Sequence, residues 1–410
     1  MSWQQSKVRH LPGVVMKKDI LIVSPFGEPP FESGNCRYFY LADLLSARED
    51  VSVELVISSF SHLKKNQRDT SWQPEHYRVT YIDEPGYPRN VCLRRFASHR
   101  TMGQNLKKYL DARAVPDAVL CASPSLDAAG VVADYCRCHR VRFVIDVQDL
   151  WPEAFQMVVP VPFLFAPWRR QADRIYAAAD EIVAVSRTYV DRALSVNRKC
   201  QDGHVVFLGT KLVDFDSNVR SHPVLDKPEG ELWLGYCGTL GSSYDLTCVI
   251  DALALLKERG EQTPRFVVMG DGPRKEEFEK YAAAKGVDAW FAGRLPYKEM
   301  CGLLCACDIV VNPITHGAAQ SIINKHADYA ASGLPVLSTQ ECQEYRDLVD
   351  EYRMGFNCAN NDAADLADKL AWLMKDEPLR REMGANARRC AEERFDRAHS
   401  YQEIVDLLLR

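Results

Sequence analysis

Lys325 and Asp328 stand three residues apart, and Gln320-Ser321-Ile322-Ile323-Asn324 leads into them. Before this stretch, Asp308-Ile309-Val310-Val311-Asn312-Pro313 reads as a short apolar strand stopped by proline; after it, Leu334 to Ser338 reads as another. Between the strands, Ser321 is placed to cap a helix running to Ser332, with Gly333 just past its end. A loop entering a helix at a strand end aims free backbone N–H groups and the positive end of the macrodipole at one point, which suits an anion. Lys325 adds a full charge in the first turn. Asp328, one turn on, lies on roughly the same face. A cation for phosphate and a carboxylate for sugar hydroxyls, on one face above a dipole, suit a nucleotide-sugar. The same two residues also read as a solvated i,i+3 pair worth about a few tenths of a kcal/mol. The stretch alone leaves both readings open.

The elements that must position these residues alternate. Ile20–Ser24 is a continuous apolar strand of the kind buried on both faces of a parallel sheet. A loop from Pro25 to Gly34 leads to a helix at about 35–47. Strands follow at 51–57, 77–82, 117–121, 143–147 and 181–185, with a basic helical stretch between Arg89 and Lys108. The polar stretch 215–230 reads as a linker. A second alternation then begins, with strands at 232–237, 265–269, 289–292, 308–311 and 335–337. Helices are expected near 246–258, 274–285 and 298–305, and 363–410 is helical in pattern apart from Pro378 and Phe395-Asp396. This alternation predicts an α/β chain of two doubly wound parallel sheets. The domains are expected at 17–212 and 230–395, with a last helix at about 396–410 returning to the first. Each such sheet binds ligands outside the carboxyl ends of its strands. Gly34, Asp149, Gly238, Gly270, Arg294 and the 320–328 segment all fall just after strands.

Composition narrows the class. The 410 residues are long for one core. A hydrophobic content of 47% with 26% charged residues is ordinary for a soluble globular protein, and a net charge of -5 gives no support for a nucleic-acid partner. The 14 cysteines are scattered, and neither Cys136-Arg-Cys138-His139 nor Cys301-x3-Cys305-x-Cys307 has the paired spacing of a zinc site. No apolar run approaches the ~20 residues of a spanning helix, and residues 1–18 lack the apolar core of a signal peptide. A cytosolic location with reduced thiols is expected.

The pieces resemble the retaining family-4 glycosyltransferases of the GT-B fold, over about residues 18–410. In the second half the resemblance rests on Gly235-Tyr-Cys-Gly-Thr-Leu-Gly241, Gly270-Asp-Gly-Pro273, Phe291-Ala-Gly-Arg-Leu295, Asp308 and Gly333-Leu-Pro-Val336. In the first half it rests on Ser33-Gly34-Asn35 with Arg37 and on Asp149-Leu-Trp-Pro-Glu153. Asp-Leu-Trp-Pro-Glu with Asn-Lys-x-x-Asp-Tyr is similar to the subgroup that builds bacterial surface polysaccharides and lipid-linked repeat units. The resemblance implies two Rossmann-like domains facing a central cleft. It also implies transfer of a sugar from a nucleotide diphosphate, a UDP-sugar above all, to a hydroxyl of a lipid-linked or oligosaccharide acceptor.

The residues carry over one by one. Gly238, Thr239, Gly270, Arg294, Leu295, Gln320, Ser321, Ile322, Ile323, Asn324, Lys325 and Asp328 fall on the donor side. Gln148, Asp149 and Trp151 fall on the acceptor side. Asp149, Lys325 and the backbone of Gly34 are the groups nearest the chemistry. Three departures stand out. The family's two glutamates separated by seven residues are Gln320 and Asp328 here. The loop Gly238–Tyr244 lacks the family's diphosphate-binding cations, so Lys325 with Arg294 must supply that charge. Gln148 replaces a common histidine.

The implied mechanism needs no cofactor, no metal and no protein nucleophile. The departing phosphate takes the acceptor proton in a front-face attack, and the protein stabilises the growing charge. Asp214-Phe215-Asp216 imitates a metal motif but reads as the cap of a turn with Phe215 packed beneath it. Phe155 to Trp168, followed by Arg169-Arg170, is an aromatic apolar segment beside arginines, as an interfacial anchor requires, and Arg94, Arg95, Lys107 and Lys108 add to it. A peripheral site on the inner face of the membrane is therefore expected. Two other readings stay open: a sugar-nucleotide epimerase of the same architecture, and a non-catalytic partner subunit.

Overall fold

The computed structural model describes residues 17–32, 37–90, 92–156, 162–318 and 322–410. The chain divides into two compact units. The first is Met1–Ile182 with Ala193–Asp202 and Val405–Arg410; the second is Val183–Arg192 with Gly203–Ile404.

The first sheet contains β1 (Lys18–Val23), β2 (Val51–Ser58), β5 (Arg78–Ile82), β6 (Ala118–Ser123), β7 (Arg142–Val147), β8 (Glu181–Ala184) and β9 (His204–Val205), in the order β5-β2-β1-β6-β7-β8-β9. A small antiparallel hairpin, β3 (Phe60–Ser61) with β4 (Asn66–Gln67), follows β2. The second sheet contains β10 (Trp233–Cys237), β11 (Arg265–Met269), β12 (Ala289–Gly293), β13 (Ile309–Asn312), β14 (Val336–Ser338) and β15 (Gly355–Asn357), in the order β12-β11-β10-β13-β14-β15. Ile20 to Val23 and Ile309 to Val311 are wholly buried, because helices cover both faces of a parallel sheet. The order identifies where ligands belong. In the second sheet the chain moves outward from β10 through β12, then returns to start again at β13. The carboxyl ends of β10 and β13 therefore flank a topological switch point. In the first sheet, β1 and β6 do the same.

Several local expectations change. Residues 215–230 do not begin as linker: Leu212–Ser221 is a helix, and Leu212 and Phe215 are buried against the second core. Asp214-Phe215-Asp216 therefore lies in a helix rather than capping a turn, with Asp216 paired to Arg388 at 2.6 Å and Asp214 to Lys211 at 2.9 Å. Pro378 starts a helix rather than interrupting one. It lies in the first turn of Glu377–Cys390, whose Leu379 N–H is capped by Asp376 Oδ1 at 2.9 Å. The strands β3, β4, β9 and β15 have two or three residues each, too few for periodicity to register. Lys18 Nζ donates to Leu409 O at 2.7 Å, which ties the end of the chain to β1.

Candidate active site

Three loops at the carboxyl end of the second sheet are locked side by side. Gly238 N–H donates to Met269 O (3.0 Å), Leu240 N–H to Asp271 O (2.9 Å) and Gly270 N–H to Gly293 O (2.8 Å). The packing is close enough to require glycine. A Cβ on Gly270 would lie 1.8 Å from Gly238 O, and Gly238 itself has φ +152. Thr239 is exposed at the rim, and Gly270 is half-buried.

The helix after β13 is Asn324–Ala331, with Ile323 at its N-cap. The expected start is thus displaced, and Ser321, with Gln320, lies outside the described residues, as does Gly34. His326 does part of the capping: its Nδ1 accepts the Ile323 N–H at 3.0 Å while its ring stacks on Tyr345. Tyr329 pins the helix to the sheet. Its hydroxyl accepts the Cys237 N–H at 2.8 Å and donates to Val311 O at 3.2 Å. The helix therefore begins beside the Gly238 loop, at the switch point.

Lys325 is not a solvated residue. It is 8% exposed, and its Nζ has no hydrogen-bond partner among the described residues. The ammonium lies 3.7 Å from the Tyr244 ring centroid and 4.6 Å from that of Tyr236, a cation held by two aromatic faces. It is 3.1 Å from the point where a Gly238 Cβ would be, so glycine there leaves the ammonium room. Burial without a counter-charge lowers its pKa to about 7. Such a group lacks an anion.

Asp328 is buried too. Tyr297 OH donates to its Oδ1 at 2.8 Å, and Thr210 Oγ1 lies 2.9 Å from the same tyrosine oxygen. Burial raises its pKa to about 6, against the lowering effect of these hydrogen bonds. A carboxylate with one oxygen held by a tyrosine has acceptor capacity left for hydroxyl groups. Lys325 and Asp328 therefore do not form the i,i+3 ion pair that spacing allowed. Each is partnered or enclosed separately.

The other donor-side residues scatter. Arg294, after β12, is exposed and makes no hydrogen bond or ion pair among the described residues. Leu295 is half-buried against the core, and Ile322 is wholly buried in it. Ile323 is half-buried and Asn324 exposed. Tyr236, Tyr244 and Tyr297 were not foreseen. Nothing in their spacing distinguishes them from core tyrosines.

In the first unit, Gln148, Asp149 and Trp151 follow β7. Gln148 Nε2 donates to Asp146 Oδ1 at 2.7 Å. Asp146 is fully buried and paired with Arg37 at 2.7 Å, with Tyr38 OH at 3.0 Å, so Arg37 serves a buried network under the loop. Burial raises the Asp149 pKa. Trp151 is buried with the Arg95 guanidinium 4.3 Å from its ring. Arg95 thus turns inward, away from the basic helix face expected to meet a membrane. Cys136, Cys301 and Cys307 are buried, and among the described residues no cluster of three or more His, Cys, Asp or Glu is arranged to hold a metal ion.

Residues 218–390 match the family model described as glycosyl transferases group 1. The chain is 26% identical over 241 residues to the Pseudomonas aeruginosa protein named probable glycosyltransferase WbjE, covering 55% of this chain and 58% of that protein. It is 25% identical over 178 residues to a Campylobacter jejuni α-1,4-N-acetyl-D-galactosaminyltransferase, covering 42% and 46%. The chain thus spans about half the length of the curated relatives it matches. Among solved structures, Anabaena Alr3699/HepE in complex with UDP has a TM-score of 0.67 at 17% identity, covering 96% of this chain and 100% of that one. WaaG, a glycosyltransferase involved in lipopolysaccharide biosynthesis, has a TM-score of 0.63 at 16% identity, covering 95% and 99%. The chain has the GT-B fold, and its second unit carries a match to the glycosyl transferases group 1 domain.

Proposed function

We propose that the chain is a retaining family-4 glycosyltransferase that moves a hexosyl or N-acetylhexosaminyl group from a UDP-sugar to a hydroxyl of a lipid-linked or oligosaccharide acceptor in bacterial surface polysaccharide synthesis. The observation that carries the reading is Lys325, a buried ammonium without an acceptor, beside a glycine loop at the switch point of the sheet. The UDP in the HepE structure supports the donor class, and the Campylobacter relative, named for a diNAcBac-PP-undecaprenol substrate, supports the acceptor class. As the glycosidic bond breaks, charge grows on the β-phosphate, and Lys325 with the backbone N–H of Asn324 meets it. The acceptor hydroxyl attacks on the same face, and its proton passes to the departing phosphate. Asp149 orients that hydroxyl.

Asp328 is assigned to the ribose. Asp328→Asn keeps the shape but removes a charged acceptor, so UDP affinity measured by calorimetry should fall roughly ten- to a hundredfold. Unchanged UDP affinity removes that role. The chemistry is proposed to need no divalent metal: turnover should survive a chelator, and complete loss restored by magnesium or manganese overturns this.

Membrane contact belongs to the proposal as well. No helix among the described residues is long and apolar enough to cross a membrane. Phe163 is 81% exposed and Leu93 is 87% exposed, with Arg94, Arg169 and Arg170 exposed next to them in sequence. Phe96 packs against Trp168 at 5.3 Å, which brings the two segments together, whereas Phe165 turns inward. Residues 157–161 lie outside the described residues. Wild type should co-sediment with anionic vesicles at low salt, and Leu93→Ser with Phe163→Ser and Leu164→Ser should remain in the supernatant. Equal pelleting of the folded triple variant defeats the docking role.

A further inference from the structure

The first unit holds a second cation-rich cluster that the transfer chemistry leaves unused. Lys65 ends the turn between β3 and β4 at φ 58, a left-handed conformation normally given to glycine or asparagine. From there its Nζ sits 4.8 Å from the Tyr87 ring and donates to His62 O and Asn90 Oδ1, both neutral acceptors. Arg95 lies 5.4 Å from the Tyr87 ring and 5.8 Å from that of Phe26. His99, 3% exposed, packs against Phe26 and Tyr87 at 5.5 Å each, and its buried Nε2 makes no hydrogen bond among the described residues.

Cations surround the two imidazoles. Burial first, then the charges of Lys65, Arg95 and Arg68, lowers His62 to about 4. Burial first, then Arg95, His62 and Lys65, lowers His99 to about 3. Both imidazoles are therefore neutral at pH 7, able to donate one hydrogen bond each. Two carboxylates face Arg95. One is Asp149. The other is Glu84, which is engaged by Ser58 and by Ser98 at 2.8 Å and whose pKa is raised by burial. Phe26, His62 and Lys65 are only half-buried, which leaves the cluster an open side.

We propose that Lys65, Arg95 and His99 bind the phosphate of a phosphorylated acceptor, either a sugar phosphate or a sugar joined through a diphosphate to a lipid. The unpartnered His99 ring nitrogen donates to a phosphate oxygen, the two cations take the others, and the Phe26 and Tyr87 rings flank them. The location follows loops after β1 and β5 and lies beside Trp151, close to the residue assigned to the acceptor hydroxyl. Assignment of this phosphate to the acceptor rests on the transferase reading; anion binding at the cluster does not.

The test titrates inorganic pyrophosphate into Lys325→Gln protein, which removes the donor-side cation, and into Lys325→Gln combined with Lys65→Gln or Lys65→Arg. Pyrophosphate should bind the first, bind roughly tenfold more weakly after Lys65→Gln, and recover with Lys65→Arg. In wild-type protein the His99 ring-nitrogen signal should shift on adding pyrophosphate, a readout that does not depend on any variant folding. No binding to the Lys325→Gln protein, binding indifferent to Lys65→Gln, or an unmoved His99 signal each overturns the proposal. Displacement of pyrophosphate by a short-chain isoprenyl diphosphate at lower concentration than by a sugar 1-phosphate supports the lipid source; the reverse order supports the soluble one. Pyrophosphate bound at the cluster by a protein that fails to bind UDP supports the anion site while the transferase reading falls.

Discussion

Lys325→Met is expected to raise the thermal stability of the ligand-free protein while reducing turnover by roughly a hundred- to a thousandfold. The loss follows if Lys325 meets the charge on the departing diphosphate, since removing one such donor typically costs about 3–4 kcal/mol of transition-state stabilisation. The gain follows from linkage. The ordinary lysine value is 10.5 and the folded value about 7. Between those two, the unfolded chain holds a proton that the folded chain has released, so stability rises with pH across that window. Below about pH 7 both states carry the charge, and the folded state bears the full cost of enclosing it between Tyr236 and Tyr244. Methionine fills the same space without that cost. The variant should therefore melt above wild type, most clearly at pH 6, with the gap closing as pH approaches about 10. Asp328 works in the opposite direction: its folded value, raised to about 6, removes stability as pH rises from its ordinary 3.8. Saturating donor should raise the wild-type melting temperature and leave that of Lys325→Met nearly unmoved. Near wild-type turnover at saturating donor, or a variant that melts lower at pH 6, removes Lys325 from this role.

Part of this site is legible in the sequence and part of it is not. The alternation of apolar strands with helices at 20–24 and 309–311 located the sheets, because a strand buried on both faces must be apolar throughout. The position of the helix after β13 was legible for the same reason, since the Gly333-Leu-Pro turn and the flanking strands bracket it. The state of Lys325 was not. Spacing places Lys325 and Asp328 on one helix face, but whether an ion pair forms depends on what the sheet brings opposite. Tyr236 and Tyr244 arrive from β10 and its loop, Tyr297 from the helix after β12, and Thr210 from further off. None is within 25 residues of Lys325, so no local pattern announces them. The inward turn of Arg95 is illegible for a related reason. In a run of basic residues one turned inward beneath aromatic rings looks the same as those facing water, and only the packing of Trp151 and Tyr87 against it distinguishes them.

Gly270→Ala should damage both folding of the second unit and donor binding, although it adds only one methyl group. The new Cβ would lie 1.8 Å from Gly238 O, less than any real Cβ contact allows, and the obstacle is backbone that cannot rotate away. Relief requires the loop after β10 to part from the loop after β11. That strains the bonds from Gly238 N–H to Met269 O and from Leu240 N–H to Asp271 O, which hold the two loops together. Overpacking of this kind costs about 1–3 kcal/mol, which corresponds to a fall in melting temperature of roughly 3–10 °C for a unit of this size. The functional effect should exceed the stability effect. Gly238 is the floor beneath the Lys325 ammonium, so a displaced loop moves the lysine's enclosure and with it the charge proposed to meet the β-phosphate. A displacement of about 1 Å at a reacting centre can cost on the order of a hundredfold in rate. Gly272→Ala provides the comparison. Its Cβ would lie 2.4 Å from Leu240 O, a milder clash one step further along the same pair of loops. Melting curves and UDP titrations on both variants should rank Gly270→Ala below Gly272→Ala, and both below wild type. If Gly270→Ala folds with wild-type stability and binds UDP normally, the interlocked loops are not what positions the donor.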